Sequence, residues 1–188
     1  MYSANNAEEV TAAMQDMVRK ILVAAGSDAG VAVSTVNLRD GGNTAFVSSY
    51  NARNWTGDIA AFPIDIATGN VDTSPGRALW SARALLDART PDSRIIASHD
   101  GAGGVPFTAL GLGSTLVGQL ARSGTDGSQV LAWLRGDRSG EGTTYRARDS
   151  LLGDIVTAEP LYLEGIVYQA ANDGMLHAFD ASNGAELW

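Results

Sequence analysis

The spacing of hydrophobic residues along this chain switches between a period of two and a period near 3.6, and the switches mark its elements. Val31 to Leu38 (VAVSTVNL) alternates, passes through Arg39-Asp40-Gly41-Gly42 and resumes from Ala45 to Tyr50, which predicts a hairpin. Trp55-Thr56-Gly57-Asp58 leads into a second strand, Ile59 to Asp65, that ends in a turn at Ala67-Thr68-Gly69. Near the end of the chain, Ile166 to Ala171 and Met175 to Asp180 flank Asn172-Asp173-Gly174. An Asp-Gly pair between two apolar runs is a strong hairpin signal, because tight turns need a positive φ that glycine adopts without a Cβ clash. A further turn, Ala181-Ser182-Asn183-Gly184, opens the run Glu186-Leu187-Trp188.

Helical spacing governs two other regions. Val10, Met14, Met17, Val18 and Ile21 fall on one face behind a capping box of Asn6 and Glu9, and Gly26 ends the run, predicting a helix over residues 7–25. Residues 78–152 form a mixed insertion: a helix over Leu79 to Leu86, a strand over Arg94 to Ser98, and a Gly-rich loop from His99 to Gly104. A helix capped by Ser114 or Thr115 follows and runs to Leu120. A last one is opened by Asp126 with Gln129, running from Ser128 to Arg135 and stopping at Gly136.

The strand units share one grammar. Gly57, Ile59, Ala61 and Phe62 align with Gly174, Leu176, Ala178 and Phe179 once Pro63 and Ile64 are treated as an insertion, and Asp65 and Gly69 share the spacing of Asp180 and Gly184. Trp188 follows its glycine by four residues and Trp80 follows Gly69 by eleven, so a loop is inserted in the first unit. Trp55, Gly57, Asp65, Gly69, Gly174, Asp180, Gly184 and Trp188 are the candidate structural repeat, and the stretch Ala178-x-Asp180-x-x-Asn183-Gly184-x-x-x-Trp188 resembles the tryptophan-docking repeat of quinoprotein-like β-propellers. Trp55, Trp80 and Trp188 then read as packing residues between blades, and Trp133 as part of a helix core. The fold class expected is mainly β with helical insertions, a partial β-propeller of about two blades. Such a blade cannot bury both faces alone, so isolated blades would expose strand edges.

Composition narrows the functions. The 188 residues are 45% hydrophobic and 18% charged, enough for a core, with a formal net charge of -8. A nucleic-acid partner calls for a basic stripe and none is present. The absence of cysteine excludes disulfides and thiolate chemistry. No apolar run reaches the roughly 18–20 residues of a transmembrane helix. Met1 to Asn6 lacks the basic and apolar regions of a secretory signal, which taken alone points to the cytoplasm.

Candidate chemistry is sparse. Arg135-Gly136-Asp137 spells the tripeptide that integrins recognise on a loop, although Gly136 also stands where a helix C-cap glycine belongs. In the alternative reading, Arg135 and Asp137 pair with Arg138, Arg146, Arg148, Asp149 and Asp154 to fix an irregular connection. His177 sits inside a repeat strand and reads as structural. His99 beside Asp100 is a weaker-than-minimal metal pair, and no Asp-x-Asp-x-Asp-Gly loop offers calcium its alternating oxygens. No catalytic, cofactor-binding or metal residue is assigned.

Taken together, five blocks resemble the C-terminal propeller region of the PilC/PilY type IV pilus biogenesis and tip-adhesin family. They are Trp55-Thr56-Gly57-Asp58-Ile59; Leu134-Arg135-Gly136-Asp137; Arg146-x-Arg148; Leu152-Gly153-Asp154-Ile155-Val156 with Pro160; and Ala171 to Asp180. The resemblance implies that residues 1–27 hold the terminal helix of a von Willebrand factor A-like domain. Residues 28–188 would then be the N-terminal part of the propeller, and the chain a fragment. It also implies a secreted protein at the outer membrane, cell surface or pilus tip, whose partners are pilin, minor pilins or a host-surface receptor. The calcium such proteins bind through an Asp-rich loop is expected beyond Trp188. Two other readings remain open from the repeat alone: a quinone-dependent dehydrogenase, and a scaffold of outer-membrane assembly.

Overall fold

The structure is a computed structural model that describes residues 43–51 and 54–188, with the backbone of Val31–Val33. The helix expected over residues 7–25, and with it the A-like domain, lies outside the described residues. The described chain divides into two compact units, one of residues up to Asp87 with Leu152–Glu186, the other of Ala88–Leu151 with Leu187–Trp188.

The first unit contains two antiparallel meanders. Strands β1 (Val31–Val33), β2 (Thr44–Asn51), β3 (Thr56–Pro63) and β4 (Trp80–Ser81) lie in sequence order. The β2–β3 ladder runs unbroken from Thr44 opposite Pro63 to Asn51 opposite Thr56. Val31 to Val33 pairs antiparallel with Val47 to Ala45, and the rest of the expected hairpin, residues 34–42, lies outside the described residues. Both faces of the β2–β3 pair are covered at its centre, with Ala45, Phe46, Ile59 and Ala61 all buried. The short helix α1 (Ala82–Asp87) follows β4 directly. A helix was expected to begin at Leu79, but Trp80 and Ser81 are extended because they pair with Ala61 and Ala60. The second compact unit begins after α1, at Ala88.

The second meander is built of β7 (Leu161–Leu163), β8 (Ile166–Ala170) and β9 (Leu176–Asp180). Its β8–β9 turn is the predicted one, with Gly174 at φ 87°. Val167, Ala178 and Phe179 are fully buried. Burying an aliphatic or aromatic side chain of this size stabilises by about 1.5–3 kcal/mol. Aromatic rings run between the meanders: Phe46 stacks on Trp80 at 5.7 Å and on Tyr162 at 5.5 Å.

The second unit is helical with one hairpin. A 3-10 turn (Pro91–Ser93) leads to β5 (Ala97–His99) and β6 (Gly104–Pro106), then to α2 (Ala109–Gln119) and α3 (Gly127–Arg135). The strand expected from Arg94 starts only at Ala97, because Arg94 closes the 3-10 turn and is buried. Helix α2 begins earlier than Ser114: Thr108 is its cap, and Gly113, at φ 71° and ψ 166°, kinks it midway. The capping box of Asp126 and Gln129 forms as predicted. Leu112, Val117 and Leu131 make the core of this unit, with Val105, Phe107, Leu116 and Leu120 packed on it. Helices α2 and α3 meet so closely that a Cβ on Gly127 would overlap the Val117 carbonyl.

Candidate functional site

The two meanders end in the same corner. At Asp65, the Gly69 N–H donates to the Asp65 carbonyl at 2.6 Å and the Asp65 N–H donates to Asn70 O at 2.8 Å. At Asp180, the Gly184 N–H donates to the Asp180 carbonyl at 2.8 Å and the Asp180 N–H donates to Ala185 O at 2.8 Å. Each aspartate carboxylate accepts the N–H two residues on, Ala67 and Ser182, both at 2.8 Å. Gly69 and Gly184 hold φ of 71° and 75°, and the flanking bridges Ile64–Val71 and Phe179–Glu186 occupy equivalent places. Asp closes the turn with its short side chain and Gly takes the left-handed position, which is why Asp-x-x-x-Gly specifies it.

Trp80 docks on the second corner. Its indole N–H donates to Ala181 O at 3.1 Å, and its ring lies where a Gly184 Cβ would come within 2.6 Å of Cδ2 and Cε3. Only glycine leaves room for that ring. Trp55, expected to be a packing residue, instead stands 62% exposed at φ 54° against Tyr50. Gly57 lies inside β3 rather than in a turn, so it is not the counterpart of Gly174. It is small because Gly153 O and Ile155 would collide with a Cβ there.

Leu152-Gly153-Asp154-Ile155 is a strap across the second meander. The Gly153 N–H donates to Asp173 Oδ2 at 2.9 Å, while Asn172 donates its backbone N–H to Asp154 O and its side-chain amide to Asp154 Oδ2. Beneath it His177, fully buried, lies between Asp173 Oδ2 at 3.1 Å and Glu186 Oε1 at 3.0 Å. Burial opposes the charged imidazolium, but the hydrogen bonds to Asp173 and Glu186 outweigh it and raise the His177 pKa. Burial likewise opposes the Asp173 carboxylate, and the bonds from His177, Gly153 and Met175 reverse that and lower its pKa. Asp58, from the first block, accepts from the Ser81 hydroxyl at 2.6 Å and the Arg83 N–H at 3.0 Å, joining β3 to the start of α1.

In the second unit, Arg135-Gly136-Asp137 forms the end of α3. The Arg135 guanidinium donates to the carbonyls of Phe107 at 2.9 Å, Pro91 at 3.1 Å and Arg94 at 3.0 Å. Gly136 is the C-cap at φ 120°, and Asp137 Oδ1 accepts from the Ser139 N–H. Arg148 closes the same helix end from the other side. It donates to Trp133 O at 2.9 Å and Asp137 O at 3.1 Å, pairs with Glu141 at 2.6 Å, and lies 4.3 Å above the Trp133 ring. The Arg-Gly-Asp and Arg-x-Arg blocks are therefore one clamp. Arg138 pairs with Glu141 too, at 3.2 Å. Glu141 and Tyr145, which stacks on Trp133 at 5.3 Å, carried no signal in the sequence beyond the nearby arginines.

His99 and Asp100 sit at the β5–β6 hairpin tip, where each accepts backbone N–H groups of that turn. Among the described residues no group of three or more His, Asp or Glu side chains is arranged to hold a metal ion. No helix among them is long and apolar enough to cross a membrane.

Two antiparallel meanders joined by a docked indole, with a helical unit between them in the sequence, make this a mainly β fold with a few helices. Over its whole length the chain is 27% identical to a type IV pilus biogenesis factor PilY1 homolog of Xylella fastidiosa strain Temecula1. It is 30% identical over 95% of its length to the type IV pilus biogenesis factor PilY1 of Pseudomonas aeruginosa strain PAK, and 29% identical over 98% to that of strain UCBPP-PA14. The chain belongs to the PilY1-type family. It spans 17–20% of the length of these curated relatives. No family model matches it, and no solved structure does.

Proposed function

We propose that this segment is a non-enzymatic scaffold, the first blades of a β-propeller in a cell-surface protein of type IV pilus assembly and adhesion. The observation that carries this reading is the Trp80 dock, which locks one meander to the corner of the next in the way that radial repetition requires. Kinship with pilus biogenesis factors along the full chain supplies the biological setting. Function on such a scaffold comes from the loops it holds, and its partners are pilins, minor pilins or a host-surface receptor. The carbonyl clamp on Arg135 favours a structural role for the Arg-Gly-Asp tripeptide over display to an integrin.

The test is complementation in a piliated bacterium carrying the full-length gene. Deletion abolishes surface pili and adherence, and full-length protein restores them. The Trp80→Ala protein fails to restore them, while Leu110→Ser, at a side chain 96% exposed, succeeds. Normal piliation and adherence in the deletion strain overturns the reading.

A further inference from the structure

The helical unit holds an open cavity of about 400 Å³, within the roughly 300–1,000 Å³ of small-molecule sites. Ser128, Gln129 and Trp133 line it from α3, and Asp137, Thr144 and Tyr145 line it from the chain beyond. The Trp133 and Tyr145 rings stack at 5.3 Å, and the Arg148 guanidinium lies over the indole. Their polar atoms are left over. Neither the Trp133 indole nitrogen nor the Tyr145 hydroxyl has a hydrogen-bond partner among the described residues, and both atoms are buried. A buried polar atom without a partner costs stability, so two of them on stacked rings beside one cavity call for a polar ligand. The loop that carries Tyr145 is closed on itself: the Thr144 and Tyr145 N–H groups both donate to Gly140 O at 3.0 Å. A Cβ on Gly140 would come within 2.8 Å of the Tyr145 ring, so this wall is built before any ligand arrives.

The lining selects the chemistry of that ligand. An indole N–H only donates, so its partner must accept, which excludes an ammonium group. Hydrogen bonds from the Ser139 backbone and side chain hold the Asp137 carboxyl below the usual carboxylate range, so the cavity carries a negative charge. No lysine or arginine lines it, and Arg148 is paired with Glu141, so an anion is repelled. What fits is a neutral molecule whose hydroxyls both donate and accept, set among the hydroxyls of Ser128, Ser139 and Thr144. Arg148 and Tyr145 cover the faces of the indole, so such a ligand is held by hydrogen bonds at the ring edges rather than by stacking. We infer that this cavity binds a neutral sugar residue, whose hydroxyls accept from the Trp133 indole, pair with the Tyr145 hydroxyl and donate to Asp137. Every lining residue belongs to the helical unit, so the inference goes beyond the pilus reading and does not rest on it.

Saturation-transfer difference NMR on the 188-residue chain tests it, with glucose, galactose, mannose and N-acetylglucosamine as probes. N-acetylneuraminic acid and triglycine serve as the anionic and the amide comparison. At least one neutral sugar is expected to receive saturation and to shift the Trp133 indole N–H resonance. Trp133→Phe keeps a ring between Arg148 and Tyr145 and loses the donor, while Tyr145→Phe loses only the hydroxyl. Each is expected to weaken binding about tenfold. Each is also expected to leave the melting temperature unchanged or higher, because an unpaired buried group has gone; the two readouts together separate lost recognition from lost folding. Saturation of none of the four sugars, of the acid or triglycine alone, or of a neutral sugar at full strength in both variants overturns the inference.

Discussion

Trp80 and Gly184 are in ring-to-backbone contact, and the indole N–H reaches Ala181, 101 residues along the chain from Trp80, at 3.1 Å. With the Phe46–Tyr162 stack, that side chain joins the first meander to the second, although the whole helical unit intervenes in sequence. Removing it separates two contributions. Trp80→Phe keeps a ring and loses the hydrogen bond, so a destabilisation of about 1 kcal/mol is expected. Trp80→Ala also loses the buried ring and is expected to cost about 3–5 kcal/mol. Urea denaturation measures both, and equal losses would mean that the ring contributes no packing.

The two corner glycines give an internal comparison. Gly69 and Gly184 have nearly the same φ, so alanine at either is strained by about 1–2 kcal/mol. At Gly184 the new methyl also displaces Trp80, so Gly184→Ala is expected to lower the melting temperature well beyond Gly69→Ala. Matching shifts for the two variants would remove the indole from that corner.

His177 makes stability depend on pH. Its folded pKa is raised above the ordinary 6.5 by the carboxylates on either side, once their bonds outweigh burial. The charged network therefore contributes fully below about pH 6.5, and its contribution is lost as pH rises through the higher folded value. Asp173, lowered from 3.8, acts in the opposite sense: its contribution is present above about pH 3.8 and is lost as pH falls through the lower folded value. Denaturant midpoints across pH should fall on the alkaline side, and His177→Gln should flatten that fall. His177→Ala, which strands two carboxylates against a buried gap, is expected to cost about 3–5 kcal/mol.

The Arg135 guanidinium holds three carbonyls from two separate segments, a geometry that a lysine ammonium cannot reproduce. Arg135→Lys is therefore expected to destabilise the helical unit by about 2–4 kcal/mol, seen as faster amide exchange in α3. A change within about 0.5 kcal/mol would identify Arg135 as an ordinary surface side chain, available to a receptor.

Sequence alone determined the local geometry. Asp-x-x-x-Gly fixed both corners, Asn172-Asp173-Gly174 fixed the β8–β9 hairpin, and Asp126 with Gln129 fixed the start of α3, since each depends on residues within a few positions. Period-two alternation likewise marked β2, β8 and β9. Tertiary structure decided which tryptophan docks: Trp55 and Trp80 are equally apolar, and only pairing of Trp80 with Ala61 carries an indole to the far corner. It also decided that Arg135 and Arg148 clamp one helix end, and that Glu186 completes the pocket of His177. Those contacts join residues brought together by packing, and no short-range rule of spacing encodes a distance across a core.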